Sequence, residues 1–422
     1  MIGAAALGFA AIVGSPAAAT AGPNDVQAGD GWAAELSDGR IEMRALGQAA
    51  DGRTVVRLRT RLCSYDLALT AWSDAGDRFE VRTDNAAPGS TDETEGSIEI
   101  SGRVRGDDIL GRVEVDVRTF DNAGDTGSCE LDERYTATPK RRARDYDRLS
   151  VVAELEADEL SATSDAAYAA LESDRIARIA ADGSQTWSVE APDLLALAAS
   201  DDAVWWVRPG AVERLDPATG ATTASLALDR LGGFAEAEVA EDGSLWIASD
   251  EARSVMRIAA DGQSVLSTTE VDGQPEVLAA HGTEVIVAVS EPATESDPAA
   301  EGLVRIGATG EKGTQISVDS VSDLAVSGDV LWVQPLTGRA EARDLTSLEV
   351  FDPPRRIRDV DAMAAVGDLL WATAGDDLLA FSPEGRRVAR LPGLGAKEDF
   401  VLLAGARDVL WLDPLSTLVR VA

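Results

Sequence analysis

The chain of 422 residues carries 74 acidic residues against 38 lysines and arginines, which gives a net charge of −36 at neutral pH. Nucleic acid and anionic membrane surfaces repel such a polyanion, so both are excluded as partners over most of its surface. With one histidine in the chain, no Ser-His-Asp triad can be built without His281, and the histidine and two cysteines do not form a zinc-type cluster pattern.

The first 21 residues are apolar and end in the small-residue pattern Ala19-Thr20-Ala21. This pattern is typical of a secretory signal peptide, so we predict that residues 1–21 are removed and that the mature protein is secreted or lies on the cell-envelope exterior. No later stretch reaches about 18 uninterrupted apolar residues, and no membrane insertion is expected after cleavage.

Alternating apolar and polar residues predict a β-sandwich over residues 32–138. Val113, Val115 and Val117, for example, share one face of a half-buried antiparallel strand. Cys63 and Cys129 are an isolated pair in an exported chain and are predicted to form a disulfide, which would stabilise the domain by about 4 kcal/mol. Residues 139–148, with the basic run 140–144, are predicted to be an exposed linker, and a proteolytic site or an anion contact is the alternative.

One phrase then recurs seven times: an apolar residue, a turn, and an aromatic or large apolar residue eight positions on. The copies begin at Leu160, Leu197, Glu238, Leu278, Leu324, Met363 and Leu403 and reach Tyr168, Trp205, Trp246, Ile286, Trp332, Trp371 and Trp411. A repeat near 40 residues with four short strands per unit predicts the blades of a β-propeller. The aromatic residues recur in a fixed register, which favours packing between blades over a sugar-binding stripe.

The seventh copy ends after its third strand, at Ala422. An unpaired sheet edge would remain unless another segment supplied the fourth strand. The segment 149–155, Leu-Ser-Val-Val-Ala-Glu-Leu, has the right apolar character. We therefore predict an all-β chain in which residues 149–422 form a seven-bladed propeller closed by this segment.

The third strand and following turn of the second copy read Val212-Glu-Arg-Leu-Asp-Pro-Ala-Thr-Gly220. This phrase resembles the blades of extracellular propellers of the virginiamycin B lyase-like, YVTN and NHL groups, over about residues 149–422. The resemblance implies the fold, whereas the groups themselves include lyases, lactonases, ligand-binding ectodomains and interaction platforms. Lyase-type members use histidine chemistry with an acidic metal ligand, but here His281 stands alone in a turn and is predicted to be exposed to solvent.

Acidic residues precede or open most of the predicted inner strands: Asp158, Glu159, Asp193, Glu236, Glu238, Glu276, Asp323, Asp361 and Asp399. Side chains at these positions would converge on one mouth of the axial channel, where lactonase-like propellers hold a metal. Asp158, Glu276 and Asp361 share one offset from the start of the repeat and are the candidate metal ligands. The cation would be Ca²⁺ or Mg²⁺, and the alternative is that these acids are ordinary solvated loop residues.

Two further features interrupt the repeat. Arg355, Arg356 and Arg358 are expected near the same mouth, where they could bind an anionic ligand unless neighbouring acids pair with them. Trp206 departs from the repeat and is the tryptophan expected to contact a ligand. The insertion at residues 290–302 is acidic and contains proline, so it is either a tolerated surface loop or a partner contact.

These observations predict a secreted, non-catalytic binding or protein-interaction module whose partner is a protein or a small-molecule ligand. The alternative is a metal-dependent lyase or lactone hydrolase that acts at the channel mouth. An enzyme needs a preorganised metal with open coordination and a nearby acid or base, whereas a binding module needs only a shaped surface.

Overall fold

A computed structural model describes residues 26–422 except for 38, 50–51, 63–64, 74–77, 84–92, 106–107, 122–123, 141–148, 156, 172–173, 234, 291–300, 353–354, 359, 376, 393, 395–400 and 415–416. The predicted signal peptide, Cys63, Asp399, most of the basic linker and nearly all of the insertion after Ser290 lie outside the described residues. Those predictions therefore stay predictions.

Eight strands form the N-terminal part of the described chain. They are β1 (Gly31–Leu36), β2 (Gly39–Gln48), β3 (Thr54–Leu62), β4 (Tyr65–Trp72), β5 (Arg78–Thr83), β6 (Glu93–Arg105), β7 (Asp108–Asp121) and β8 (Gly124–Lys140). They make one antiparallel sheet in the order β4-β3-β2-β1-β8-β7-β6-β5.

The predicted β-sandwich is not shown as separate sheets, because the strands form one continuous sheet. The reason is the length of β8, which pairs with β7 over most of its residues and with β1 at its last three, Thr138–Lys140. The two halves of the sheet nevertheless share one core, in which Ile41 and Leu58 from one half pack with Ile100 and Val113 from the other. Cys129 lies on β8, and its predicted disulfide with Cys63 stays a prediction.

The rest of the described chain forms seven four-stranded antiparallel sheets, as predicted. Blades one to three contain β10 (Glu159–Ala162), β11 (Ala166–Leu171), β12 (Arg175–Ala180) and β13 (Gln185–Glu190); β14 (Ala196–Ser200), β15 (Ala203–Arg208), β16 (Ala211–Leu215) and β17 (Thr222–Ala227); and β18 (Ala235–Val239), β19 (Leu245–Ser249), β20 (Ser254–Ile258) and β21 (Val265–Glu270).

Blades four to six contain β22 (Gln274–His281), β23 (Glu284–Ser290), β24 (Glu301–Ile306) and β25 (Ile316–Val318); β26 (Val321–Ser327), β27 (Val330–Pro335), β28 (Arg339–Asp344) and β29 (Arg356–Arg358); and β30 (Val360–Val366), β31 (Leu369–Ala374), β32 (Asp377–Phe381) and β33 (Arg387–Pro392). Blade seven contains β34 (Val401–Ala406), β35 (Val409–Pro414), β36 (Thr417–Val421) and β9 (Leu149–Glu154).

The closing strand of the ring is the one predicted from the sequence. β9 pairs with β36 in antiparallel register from Thr417 opposite Glu154 to Val421 opposite Leu149. The pairing gives the last blade its fourth strand and leaves no open edge at the end of the chain. The first strands of neighbouring blades also contact one another around the whole ring, including the last blade against the first.

The recurring aromatic residues are buried between blades, which confirms their predicted packing role. Trp205, Trp246, Trp332 and Trp411 are fully buried and Trp371 is 5 % exposed. They lie on the second strand of each blade, and the indole Nε1 of Trp411 donates a hydrogen bond of 2.9 Å to the carbonyl of Thr163 in the first blade. Burying side chains of this size gives each blade contact a large hydrophobic contribution.

Arginines on the third strands make a second set of contacts between blades. Arg257 stacks over Trp246 of its own blade, with its Cζ 5.4 Å from the ring centroid. Its Nη1 reaches the carbonyl of Ala308 in the next blade at 2.6 Å, while its Nη2 bonds Asp242 at 2.5 Å. Arg214 repeats this arrangement over Trp205, with its Nε 2.9 Å from a carbonyl of blade three. Each guanidinium thus joins two blades through hydrogen bonds that a lysine could not reproduce.

The N-terminal sheet contacts the propeller beside the closing strand. Leu46 and Val55 pack in one cluster with Leu149 and Val151 of β9 and with side chains of blades six and seven. Arg53 also pairs with Glu154 at 2.9 Å. The described residues contain no helix that is long and apolar enough to cross a membrane.

Candidate functional site

The seven first strands surround the axial channel, and their pairing shows which positions are equivalent. In six blades the residue one after the predicted start lies opposite the large second-strand residue, as Ala325 does opposite Trp332. In blade three, however, Glu238 itself lies opposite Trp246, because the turn between these strands is one residue longer. The residue of blade three that is equivalent to the starts of the other copies is therefore Ala237. The start predicted at Glu238 was one residue too late.

With Ala237 as the start of blade three, three carboxylates occupy the same position, one residue before the start of blades one, three and five. They are Glu159, Glu236 and Asp323. Each accepts a hydrogen bond from the backbone amide at the start of the next blade: from Leu197 at 2.7 Å, from Leu278 at 3.2 Å and from Met363 at 2.8 Å. We call these three contacts the carboxylate clips. Glu238 adds a fourth contact of the same kind, with the amide of Ala280 at 2.6 Å.

The channel environment changes the acidity of these groups. Burial raises the pKa of Glu159, Glu238 and Asp323 to about 7 each, against ordinary values near 4, although the amide donors partly oppose the shift. Burial and the charges of Asp323 and Glu238 raise the pKa of Glu236 well above its ordinary value. Glu236 and Asp323 belong to blades that are not neighbours, so their charges interact across the channel. Glu159, Glu238 and Asp323 therefore take up protons near neutral pH.

The predicted metal ligands are not the residues that form this cluster. Glu276 and Asp361 lie at β-bulges near the beginnings of their strands, where each is skipped in the pairing with the second strand. A bulge removes a residue from the regular alternation of side chains. Glu276 and Asp361 share this bulge position, whereas Asp158 precedes the paired residues of β10, and a metal site at these three acids stays a prediction. Asp158 is exposed, and the carboxylate of Glu276 accepts a hydrogen bond from Ser290. In the part of the chain that the structure describes, no group of three or more Asp, Glu, His or Cys is placed to hold a metal ion.

The predicted basic site is also placed differently. Arg356 and Arg358 lie on β29, the outermost strand of blade five, and Arg355 directly precedes it, so none of them is at the channel mouth. Arg355 is turned toward blade six, where its Nη1 donates to the carbonyl of Pro383 at 2.7 Å and its Cζ lies 3.9 Å from the Phe351 ring centroid. Trp206 is half-buried and packs among side chains of blades one and two, with the Arg208 guanidinium 5.6 Å from its ring centroid.

A cavity of about 710 Å³ opens at the other end of the channel, where the first strands end. Its walls come from the turns between the first and second strands of blades one, two, three and seven. Small side chains such as Ala162, Ala199 and Ala240 form its apolar part, and Asp201, Asp202, Glu241, Asp242, Arg214 and Arg407 are the charged residues that line it. The volume is in the range of ligand-binding pockets.

The charge of this opening is negative. All three nitrogens of the Arg214 guanidinium are already bonded within the protein, to Ala260, Thr223 and Asp202. Arg407 lies 3.6 Å from Asp201 and is almost fully exposed. Asp202 and Glu241 are exposed and have no ion pair with any described residue. The cavity therefore presents uncompensated carboxylates to solvent.

Acidic residues also lie at the equivalent turns of the other blades. Every blade has at least one acidic residue in or beside its turn between the first and second strands: Asp165, Asp201 and Asp202, Glu241 and Asp242, Glu284, Asp329, Asp368 and Asp408. We call this surface the acidic face. His281, which begins the corresponding turn of blade four, is exposed as predicted. The acids predicted from the sequence to form a site lie at the opposite ends of the strands. The acidic face was not predicted, although acids recur at this turn in every copy.

Comparison with known proteins supplies no family. No protein-family model matches the chain, and no curated protein sequence matches it. Among solved structures, BamB from Moraxella catarrhalis is similar at 15% identity with a TM-score of 0.42, covering 81% of this chain and 96% of BamB. U3-55K is similar at 12% identity with a TM-score of 0.49, covering 65% of this chain and 98% of that one. Hydrazine synthase from Kuenenia stuttgartiensis is similar at 10% identity with a TM-score of 0.47, covering 62% and 94%.

Proposed function

We propose that this protein is a non-catalytic interaction module that binds a basic segment of a protein partner on the acidic face. The observation that carries the proposal is the cavity of about 710 Å³ with its uncompensated carboxylates, which opens on a face to which every blade contributes an acid. A lysine or arginine side chain of the partner would enter the cavity, and neighbouring turns would bind the flanking residues.

Electrostatics support the choice of a basic partner. A net charge of −36 attracts cations over long range and raises the rate of encounter. Specificity must come from the shape of the surface, because a uniform charge would retain a basic peptide anywhere. The channel cavity supplies such a shape, with Ala162, Ala199 and Ala240 available to contact the aliphatic part of a lysine side chain.

The channel carboxylates also favour binding over chemistry. Each clip carboxylate accepts a backbone amide of the next blade, so these groups join blades as structural acceptors. The metal-dependent lyase or lactone hydrolase remains the competing proposal. It would require Ca²⁺ or Mg²⁺ to bind at residues such as Asp158, Glu276 and Asp361.

The test is a titration of fluorescein-labelled pentalysine with the protein at 0.15 M salt, in which the fluorescence anisotropy of the peptide reports its binding. The double variant Asp202→Asn/Glu241→Gln removes two charges from the cavity and is expected to bind about five-fold more weakly, since each exposed pair contributes about 0.5 kcal/mol. The matched control is Asp116→Asn/Glu80→Gln, which removes two exposed acids from the N-terminal sheet. Equal weakening in both variants would show general charge attraction and reject the proposed site.

We further propose that the module acts outside the cytoplasm and that Cys63 and Cys129 are joined by a disulfide. The apolar leader and the isolated cysteine pair support both statements. Thiol labelling of the unfolded protein tests the disulfide. No adduct is expected before reduction and two are expected after it, whereas two adducts without reduction would reject the bond.

A further inference from the structure

A second cavity, of about 330 Å³, lies far from the acidic face. It is formed where the outer strand of blade four meets blade five, and residues at the end of β25 and on β27, β28 and β29 line it. Val318, Val333 and Pro335 give it apolar walls. The volume is at the lower end of the range of small-molecule pockets, so the cavity has room for a small ligand.

The strand register gathers arginines on the side of blade five that faces this cavity. Arg339 lies opposite Arg358, and Glu341 lies opposite Arg356. Opposite residues share a face of the sheet, as do residues two apart on a strand, so Arg343 belongs to the same side. The other side carries Ala340, Ala342 and Ile357, all buried in the core. One surface thus holds four guanidinium groups.

Only part of this positive charge is neutralised. Glu341 pairs with Arg356 at 2.8 Å and with Arg343 at 3.2 Å. Arg339 and Arg358 are exposed and have no ion pair with any residue that the structure describes. Like charges directly opposite each other on neighbouring strands are destabilising. Asp319 also lines the cavity, so four arginines face two carboxylates. In a chain with a net charge of −36, this surface keeps a local excess of positive charge.

The hydrogen-bonding capacity for an anion is present without breaking an existing pair. Arg356 uses its Nε and Nη2 to bond Glu341, at 3.0 and 2.8 Å, which leaves its Nη1 for a ligand. Arg339 has no hydrogen bond with any residue that the structure describes, so its fork of donors is available. Guanidinium groups bind carboxylate and phosphate oxygens in pairs of parallel hydrogen bonds, so the two arginines match an oxyanion.

We propose that this pocket binds a small organic oxyanion, either a carboxylate or a phosphate monoester. Arg339 and Arg356 hold the charged group, and the apolar part of the ligand packs on the walls of the cavity. Arg358 and Arg343 raise the local positive potential. Among the three arginines predicted from the sequence, Arg356 and Arg358 belong to this surface, whereas Arg355 is directed toward blade six.

Isothermal titration with inorganic phosphate, phenyl phosphate and benzoate at constant ionic strength tests the proposal on the full chain. Saturable binding is expected for phenyl phosphate or benzoate, several-fold tighter than for inorganic phosphate, because only the aromatic probes reach the apolar walls. Whichever aromatic probe binds more tightly shows whether the pocket prefers a phosphate or a carboxylate. Absence of saturable binding of either aromatic probe at millimolar concentration would overturn the proposal.

Substitutions of single residues test whether the oxyanion binds in this cavity. Arg339→Gln removes an exposed side chain that has no ion pair among described residues, and it is expected to weaken the binding about ten-fold, as the loss of one charge-assisted hydrogen bond predicts. The control Arg387→Gln alters an exposed arginine on β33 and should leave the affinity unchanged. Glu341→Gln removes the competing carboxylate and should tighten the binding. Equal weakening by Arg339→Gln and Arg387→Gln would contradict the assignment.

Discussion

The Oδ2 atom of Asp323 accepts a hydrogen bond of 2.8 Å from the backbone amide of Met363, and this bond joins the first strand of blade five to that of blade six. The same contact recurs from blade one to blade two and from blade three to blade four. The carboxylate clips therefore connect the inner strands in pairs. They form a structural system at the centre of the ring, separate from the binding surfaces proposed at its exterior.

Substitutions at Asp323 should separate the role of the oxygen from that of the charge. Asp323→Asn keeps an acceptor oxygen and removes a buried charge, so we expect unchanged or higher thermal stability at pH 8. Asp323→Ala leaves the amide of Met363 without its partner and should destabilise the fold by about 1–3 kcal/mol. Thermal unfolding followed by circular dichroism compares the two. An equal loss in both variants would show that the charge itself stabilises the channel.

Three of the buried carboxyls in the channel also predict a pH dependence of stability. The pKa of Glu159, Glu238 and Asp323 in the folded protein is about 7, whereas the ordinary values are 4.5 for Glu and 3.8 for Asp. A group whose folded pKa is raised contributes stability that is fully present below the ordinary value and is lost as pH rises through the folded value. These groups should therefore stabilise the protein at pH 5 relative to pH 8.

The matched comparison is the triple variant Glu159→Gln/Glu238→Gln/Asp323→Asn. Surface acids affect both proteins alike, so the difference between their thermal midpoints isolates the three buried carboxyls. We expect the midpoint of the unmodified chain to fall more steeply from pH 5 to pH 8 than that of the variant. Parallel curves over this range would show that the three carboxyls do not take up protons on folding.

The arginines of the third strands should be sensitive to a conservative exchange. Arg257 is 5 % exposed and bonds Ser244, Ala308 and Asp242. Arg257→Lys keeps the charge but cannot reproduce this fork, and we expect a loss of about 2 kcal/mol in the free energy of unfolding. Arg387→Lys, on the exposed part of β33, is the control and should be neutral. Similar losses in both would argue that general surface effects dominate.

A metal titration separates the two functions considered for the channel. A cation that binds the folded protein raises its thermal midpoint by mass action. Under the interaction-module proposal we expect no rise with Ca²⁺ or Mg²⁺ up to millimolar concentration. A rise that Glu276→Gln or Asp361→Asn abolishes, but Asp116→Asn does not, would favour the metal-dependent lyase or lactone hydrolase.

The periodicity of the sequence was sufficient to predict the architecture of the propeller. The seven copies, the burial of residues such as Trp246 and the closing role of β9 all follow from a repeat whose strands must pair and whose apolar faces must be covered. The single N-terminal sheet was not predicted, because hydrophobic alternation does not show that one strand, β8, pairs on both sides of the fold.

The candidate sites were harder to predict because they depend on register. A turn one residue longer in blade three concealed the equivalence of Glu236 with Glu159 and Asp323, and the sequence does not show that Glu276 and Asp361 lie at β-bulges. Arg339 lies opposite Arg358 only through strand pairing. Pairing of this kind joins residues that are distant along the chain, and a single sequence does not specify it.

Hydrogen exchange with and without bound pentalysine tests the central claim most directly, because it locates the basic segment on the protein. We expect slower amide exchange at the turns that line the large cavity, Thr163–Ser164, Asp201–Asp202 and Glu241–Gly243, with no change in the N-terminal sheet. Protection confined to the opposite face of the propeller or to the N-terminal sheet, or spread evenly over the surface, would contradict it.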